Sequence, residues 1–250
     1  MSTGLRFTLE VDGLPPDAFA VVSFHLNQSL SSLFSLDLSL VSQQFLSLEF
    51  AQVLDKMAYL TIWQGDEVQR RVKGVVTWFE LGENDKNQML YSMTRTEVST
   101  LCISQFRYSA QIRPSSVVTK DYTFKRPGWA GRFDQEGQHQ DYQRTQYEVY
   151  DYPGRFKGAH GQNFARWQMD GWRNNAETAR GMSRSPEIWP GRRIVLTGHP
   201  QANLNREWQV VASELHGEQP QAVPGRQGAG TALENHFAVI PADRTWRPQP

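Results

Sequence analysis

The sequence has a single cysteine, no excess charge of either sign and no long apolar run. Cys102 alone can form neither an internal disulfide nor a thiolate metal site. Lys and Arg together number 26, as do Asp and Glu. This balance argues against a binder of nucleic acid or of anionic membranes. Apolar runs such as 18–22 are far shorter than the ~20 residues of a spanning helix, and residues 1–20 lack the layout of a secretory signal. We therefore expect synthesis in the cytoplasm and no stable membrane anchor.

The charges are distributed unevenly along the chain. Residues 1–94 contain 6 basic and 11 acidic side chains, whereas residues 95–250 contain 20 and 15. Segments of opposite net charge favour head-to-tail or multi-subunit contacts and mark a candidate domain boundary near Thr94. Incidental solvated charge explains the same split equally well.

The first segment has the alternating pattern of β-strands. Apolar and polar residues alternate at Phe7, Leu9 and Val11, and again over 34–40, which is typical of strands with one buried face. Further elements are predicted as strands at 57–63, 68–81 and 88–94 and a short helix at 48–56. Short strands separated by turn residues indicate a sandwich or barrel.

The second segment is also predicted to consist mainly of short strands, with one longer helix. The predicted elements are strands at 101–108 and 117–124, a long exposed loop at 126–146, paired strands at 193–197 and 208–216, and a last strand at 236–240. Apolar residues at helical spacing predict a helix over about 160–182, although Gly171 weakens it by up to ~1 kcal/mol. The predicted fold is therefore mainly β, with barrel-like segments at 1–94 and 95–250 and a single longer helix in the second.

The common catalytic and cofactor motifs all fail on residue type or spacing. The sequence contains no phosphate-binding Gly-x-x-x-x-Gly-Lys-Ser/Thr run, and the glycine-rich stretch 225–230 lacks the spacing of a dinucleotide site. No two of the six histidines lie within four residues of each other, so the chain offers no local zinc pair. We therefore predict no catalytic residues, no cofactor and no metal.

Two alternatives remain open in the region 122–156. Glu148 and Asp151 are the carboxylates that most resemble an acid–base pair, as a glycan hydrolase requires. However, Asp151 precedes Tyr-Pro-Gly, where a short carboxylate accepts a backbone N–H in a turn. The aromatic residues of this region are the basis of the other alternative, a glycan-binding module.

The stretch 147–156, with the sequence YEVYDYPGRF, is the most specific in the chain. It resembles the Tyr-Asp-Tyr-Pro-Gly signature of the VgrG family, the spike-tip proteins of type VI secretion systems, which are similar to the baseplate hubs of contractile phage tails. The motif residues are Tyr147, Tyr150, Asp151, Tyr152, Pro153, Gly154 and Phe156. Four more stretches resemble the family, at 21–34, 71–76, 190–210 and 235–242, so the resemblance covers nearly the whole chain.

The sequence departs from the family pattern at two places. Family members carry a Pro-x-Leu-Trp element and a long segment with helices after a strand like 91–93, whereas here Thr94 runs straight into Arg95. The resemblance therefore predicts a missing segment at 94/95. From the resemblance we also expect the spike domain and β-helical needle of the family to be absent after Pro250.

The resemblance implies a structural role with no chemical step. It implies a homotrimer whose two hub-like barrels per chain form a ring, which joins a hexameric tube of haemolysin-coregulated protein to a membrane-puncturing needle. Secreted effectors or a tip-sharpening protein would bind through the absent C-terminal part, and the type VI apparatus would inject the whole assembly. In the motif, we expect a tight turn in which Pro153 fixes φ and Gly154 avoids a Cβ penalty.

Overall fold

A computed structural model describes residues 4–42, 50–80, 102–138, 143–156, 160–226 and 230–248. Within them, strands make up most of the regular structure, and one helix is longer than a single turn. The strands are β1 (Leu5–Val11), β2 (Ala20–Ser29), β3 (Ser35–Val41), β4 (Met57–Gln64), β5 (Glu67–Val75), β6 (Ile103–Ala110), β7 (Ser116–Lys120), β8 (Arg132–Glu136), β9 (Glu148–Asp151), β10 (Glu177–Ser183), β11 (Arg193–Val195), β12 (Glu207–Glu218) and β13 (Ala232–Pro241). The helices are α1 (Phe50–Val53) and α2 (Gly161–Trp172), with 3-10 turns at Ala202–Leu204 and Pro220–Ala222.

The chain divides into two compact units that do not follow chain order. The first unit comprises Met1–Gln105, Gly181–Pro190 and Ala212–Phe237, and the second comprises Phe106–Arg180, Gly191–Val211 and Ala238–Pro250. The predicted boundary at 94/95 lies outside the described residues, so the division into 1–94 and 95–250 remains a prediction.

The first unit is built on antiparallel strands whose apolar positions alternate. In this unit the strand order is β5-β4-β1-β2-β12, and β3 also pairs with β2. On β1, Phe7, Leu9 and Val11 are buried while the residues between them are less so, because successive side chains point to opposite faces. Phe7 packs edge-on against Phe24 of β2, with ring centroids 5.0 Å apart. Aliphatic residues of neighbouring strands complete this core: Leu26, Leu60, Ile62, Leu215 and Leu233.

The second unit contains a three-stranded sheet with the order β8-β7-β9. β7 pairs antiparallel with β8 and parallel with β9. The helix α2 buries Ala165 and Met169 in one cluster with Val117 of β7, and Phe133 and Trp172 pack against them. This small helix-covered sheet positions the Tyr-Pro-Gly motif.

The structure confirms the mainly β class and the single longer helix. The expected strands 193–197 and 208–216 do pair, with Ile194 opposite Trp208. Two predicted strands are shorter than expected, since β5 ends at Val75 and β7 at Lys120. The predicted strand 88–94 and part of the predicted helix 48–56 lie outside the described residues.

Two predictions in the second segment are wrong. The helix predicted over 160–182 ends at Trp172, and Glu177–Ser183 form a strand. Alternate residues of that strand are buried, from Glu177 to Ser183, so its period is two rather than 3.6. The loop predicted over 126–146 contains β8, which pairs with β7 although Phe133 is its sole apolar residue.

Candidate functional site: the Tyr-Pro-Gly turn and its sheet

The motif occupies β9 and the turn that follows it. β9 lies parallel to β7, with Val117 opposite Val149 and Thr119 opposite Asp151. Just before β9, the backbone of Tyr147 is fastened to Ser115, because the Tyr147 N–H donates to Ser115 Oγ at 2.8 Å and the Tyr147 carbonyl accepts from the Ser115 N–H at 2.8 Å. The strand is therefore held at its start by side-chain and backbone bonds.

The turn itself is bonded to the last residue of β7 and to the residue after it. The Tyr152–Pro153 peptide is cis. The Gly154 N–H donates to the Lys120 carbonyl at 3.0 Å, and the Phe156 N–H donates to Asp121 Oδ2 at 3.1 Å. These two bonds satisfy backbone donors that would otherwise face a partly buried environment.

Glycine is required at position 154 because neighbouring side chains leave no room for a Cβ atom. Its φ lies outside the left-handed region, and a Cβ at this position would collide with the Phe156 ring and with Thr119 Oγ1. The residue with positive φ is Arg155, at 56°. The Cβ penalty that we expected at Gly154 therefore has a steric origin in close packing against Phe156 and Thr119.

Phe156 anchors the turn in a group of aromatic rings. The side chain is 8% exposed. Its ring centroid lies 5.3 Å from that of Phe133 on β8 and 6.2 Å from those of Trp129 and Phe164. Edge-on and tilted ring pairs of this kind each add ~0.5–1.5 kcal/mol beyond the area that they bury. The turn, the sheet and the helix α2 thus share one aromatic core.

The three tyrosines of the motif point outward. Tyr147, Tyr150 and Tyr152 are 40, 59 and 56% exposed. In the three-stranded sheet, as far as the described residues show, β9 has a neighbour on one side only. An edge strand with exposed tyrosines offers unpaired backbone groups and amphipathic rings to another chain.

The two candidate carboxylates do not form a pair. Glu148 and Asp151 are three residues apart on β9 and lie on opposite faces, the first exposed and the second half-buried. Asp151 Oδ2 accepts a hydrogen bond from Gln168 Nε2 of α2 at 2.9 Å. We expected Asp151 to accept a backbone N–H of the turn, but the Gly154 N–H donates to the Lys120 carbonyl and the Phe156 N–H donates to Asp121 Oδ2. This geometry does not favour the glycan hydrolase.

A buried ionic cluster in the second unit escaped the sequence analysis. Glu177 on β10 accepts hydrogen bonds of 2.8 Å from the Tyr108 hydroxyl and from Arg244 Nη2, and Arg206 Nη2 lies 3.6 Å from its carboxylate. Burial alone would raise the pKa of Glu177, but the hydrogen bonds and charges of these partners outweigh it and hold the pKa below its ordinary value. Burial and the neighbouring carboxylate raise the pKa of Tyr108, which keeps the hydroxyl protonated as a donor.

The chain is similar to several curated spike proteins of type VI secretion. It is 37% identical over 155 residues to the actin cross-linking toxin VgrG1 of Vibrio cholerae, covering 61% of this chain and 14% of the toxin. It is 36% identical to the spike protein VgrG3 of the same species, covering 58% of this chain and 14% of that protein. It is 32% identical to the spike protein VgrG2a of Pseudomonas aeruginosa, covering 59% of this chain and 18% of that protein. The chain therefore spans less than a fifth of these relatives.

Two solved structures share the fold. One is the E. coli c3393 protein, described as a type VI secretion component similar to the T4 phage tail proteins gp27 and gp5. Its TM-score is 0.54 at 14% identity, covering 97% of this chain and 79% of that one. The other is the 43 kDa tail protein of prophage MuSo2 from Shewanella oneidensis, with a TM-score of 0.60 at 9% identity, covering 95% of this chain and 98% of that one. These likenesses support a tail-protein fold.

In the part of the chain that the structure describes, no helix has the length and apolar character needed to cross a membrane. The similarities confirm the resemblance to the VgrG family that the stretch 147–156 indicated. The sequence model of the phage tail baseplate hub (GPD) family matches residues 27–94 and 90–221 of this chain. Because these matches cover well over half of its residues, the chain belongs to the phage tail baseplate hub (GPD) family.

Proposed function

We propose that this chain is the hub portion of a type VI secretion spike and works as a structural adaptor. Three copies form a ring, and two hub-type barrels in each chain present six similar modules. This ring joins the hexameric tube of the haemolysin-coregulated protein to a membrane-puncturing needle. The observation that carries the proposal is the hub-family match over 27–94 and 90–221, and the relatives named as type VI spike proteins support the secretion setting.

The edge of the three-stranded sheet supports an assembly of copies of this chain. Among the residues that the structure describes, strand β9 has one edge without a neighbouring strand, and Tyr150 and Tyr152, on this strand and just after it, have exposed rings. Tyrosine is enriched in protein interfaces because its ring buries apolar area while its hydroxyl keeps a hydrogen bond. We take this surface, defined by Tyr147, Tyr150 and Tyr152, as one contact between copies.

The assembly is tested by the oligomeric state. We expect sedimentation velocity to show a monomer that converts to a trimer with rising concentration, and mixing with the tube protein to give a larger complex. Tyr150→Ser and Tyr152→Ser should shift the conversion to higher concentration. Trp78→Ser removes an aromatic side chain that is 72% exposed in the first unit and serves as the matched control. A chain that stays monomeric at every concentration and never binds the tube protein would contradict the proposal.

In this role the protein meets the tube in the cytoplasm and leaves the cell with it. Effectors or a tip-sharpening protein bind the part of the spike that follows the hub. We propose that the hub performs no chemical step, which the placement of Glu148 and Asp151 on opposite strand faces supports. The relative that is named as a toxin shares only 14% of its length with this chain.

We also propose that 1–94 and 95–250 are two hub-type barrel segments from which an intervening segment is missing. The family match supports this, because it falls into two stretches that meet at 90–94. Peptide mapping of the natural protein from its source cells, which gives the sequence across the 94/95 junction, tests the proposal. A natural chain that passes directly from Thr94 to Arg95 would contradict it.

A further inference from the structure

Three histidines lie on neighbouring strands of the first unit. His25 on β2 is directly opposite His216 on β12 in the antiparallel register. Their rings are stacked with centroids 4.1 Å apart and planes inclined by 17°. The ring of His236 on β13 lies 6.2 Å from that of His216. Spacing along the sequence gave no local histidine pair, but the pairing of β2 with β12 creates one.

A carboxylate completes this group. Glu214 precedes His216 by two residues on β12, so both side chains point to the same face of the sheet. One ligand atom each from His25, Glu214 and His216 lies within 4.8 Å of the other two. Ligand atoms on one tetrahedral zinc ion are ~3.4 Å apart, given bonds of ~2.0–2.1 Å. Binding of one ion therefore requires the three atoms to move closer together, by rotation of their side chains.

One nitrogen of this group has no partner of its own. His25 Nε2 is buried and makes no hydrogen bond within the described part of the chain. A buried polar atom without a partner costs ~1–3 kcal/mol. A metal ion bound to this nitrogen removes that cost, because the imidazole lone pair then donates to the ion.

We propose that His25, Glu214 and His216 form a binding site for a divalent transition-metal ion of the zinc class. Two imidazole nitrogens and one carboxylate oxygen are a ligand set suited to Zn²⁺, Ni²⁺ or Cu²⁺ rather than to Mg²⁺ or Ca²⁺. The half-exposed position of the group leaves the fourth coordination position open to water or to His236 after a rotamer change. The ion ties β2 to β12, two strands distant in sequence, and so stabilises the folded first unit.

Isothermal titration of the chain with Zn²⁺ tests this site. We expect one ion per chain with a Kd in the micromolar range or tighter, and a rise of ~5 °C in Tm at a hundredfold excess over Kd. His25→Gln, His216→Gln and Glu214→Gln should each weaken binding by about tenfold or more. His160→Gln is the matched control, because His160 is exposed and its side chain makes no capping hydrogen bond; it should leave the affinity unchanged.

A second measurement keeps the test decisive where a glutamine variant folds poorly. Co²⁺ in a site with two histidines and one carboxylate gives visible absorption bands of low-coordinate geometry, whereas Mg²⁺ should neither bind nor compete. Zn²⁺ binding that is equally strong in the His25→Gln/His216→Gln double variant, or no binding to the wild-type chain, would overturn the proposal.

Discussion

The core of the first unit and the packing around the Tyr-Pro-Gly turn are built in different ways. The core of the first unit follows one pattern, in which several long strands bury an aliphatic or aromatic side chain at every second position. The turn region has three fully buried aliphatic residues, Val117, Ala165 and Met169, and otherwise depends on rings gathered around Phe156. The stability of the first core is therefore distributed over many residues, whereas the stability of the turn depends on a few positions.

The largest effect is expected from a large-to-small change in the first core. Leu26 is fully buried, and Leu26→Ala should lower the free energy of unfolding by ~3–5 kcal/mol, because it removes apolar contacts and leaves a cavity. The control is Leu33→Ala, at a side chain that is 99% exposed, which should change stability by less than ~0.5 kcal/mol. Urea denaturation measures both. Equal midpoints for the two variants would show that the core beneath β2 is not as the structure has it.

A smaller effect is expected from a small-to-large change at the turn. Gly154→Ala adds one methyl group where Phe156 and Thr119 leave no room, and should cost ~1–3 kcal/mol through overpacking. Gly128→Ala is the matched control, because a Cβ there meets nothing within 4 Å and its φ is not left-handed. If the two variants unfold at the same urea concentration, the steric explanation of the motif glycine is wrong.

This contrast explains which features the sequence analysis predicted. Strand alternation such as Phe7-Leu9-Val11 is a local signal, and the core that it describes needs no knowledge of partners. The Tyr-Pro-Gly motif could also be recognised from the sequence, because its residues are contiguous. The helix was predicted to end too late because two apolar residues beyond Trp172, Ala176 and Ala179, also lie at helical spacing. The pairing that makes 177–183 a strand cannot be recognised from the local sequence.

The features that the sequence did not predict all depend on contacts between separate segments of the chain. β8 is mostly polar, and its pairing with β7 decides its conformation. His25 and His216 meet through the register of β2 with β12. Glu177 is enclosed by Arg206 and Arg244 from later in the chain. A periodic pattern reports which face of a strand is buried but carries no information about which strand lies beside it.

The Glu177 cluster should give the smallest of the three stability effects and the one that depends on pH. Glu177→Gln removes a charge that two arginines face and should cost ~1–2 kcal/mol at pH 7. Because the pKa of Glu177 is lower in the folded chain than its ordinary value of 4.5, the stabilisation is complete above about pH 4.5 and is lost as the pH falls through the folded pKa. The difference in the free energy of unfolding between wild type and Glu177→Gln should therefore become smaller as the pH falls.

Urea denaturation at pH 7 and near pH 3 measures that gap. Glu207→Gln provides the control, since its ion pair with Arg193 is exposed on both sides at 3.4 Å and such pairs contribute ~0–1 kcal/mol. A Glu177→Gln gap of the same size at both pH values would mean that packing, rather than charge, is what the Glu177 side chain contributes. The second unit would then rely on shape at Glu177 as it does at Gly154, and the ionic cluster would have no separate part in its stability.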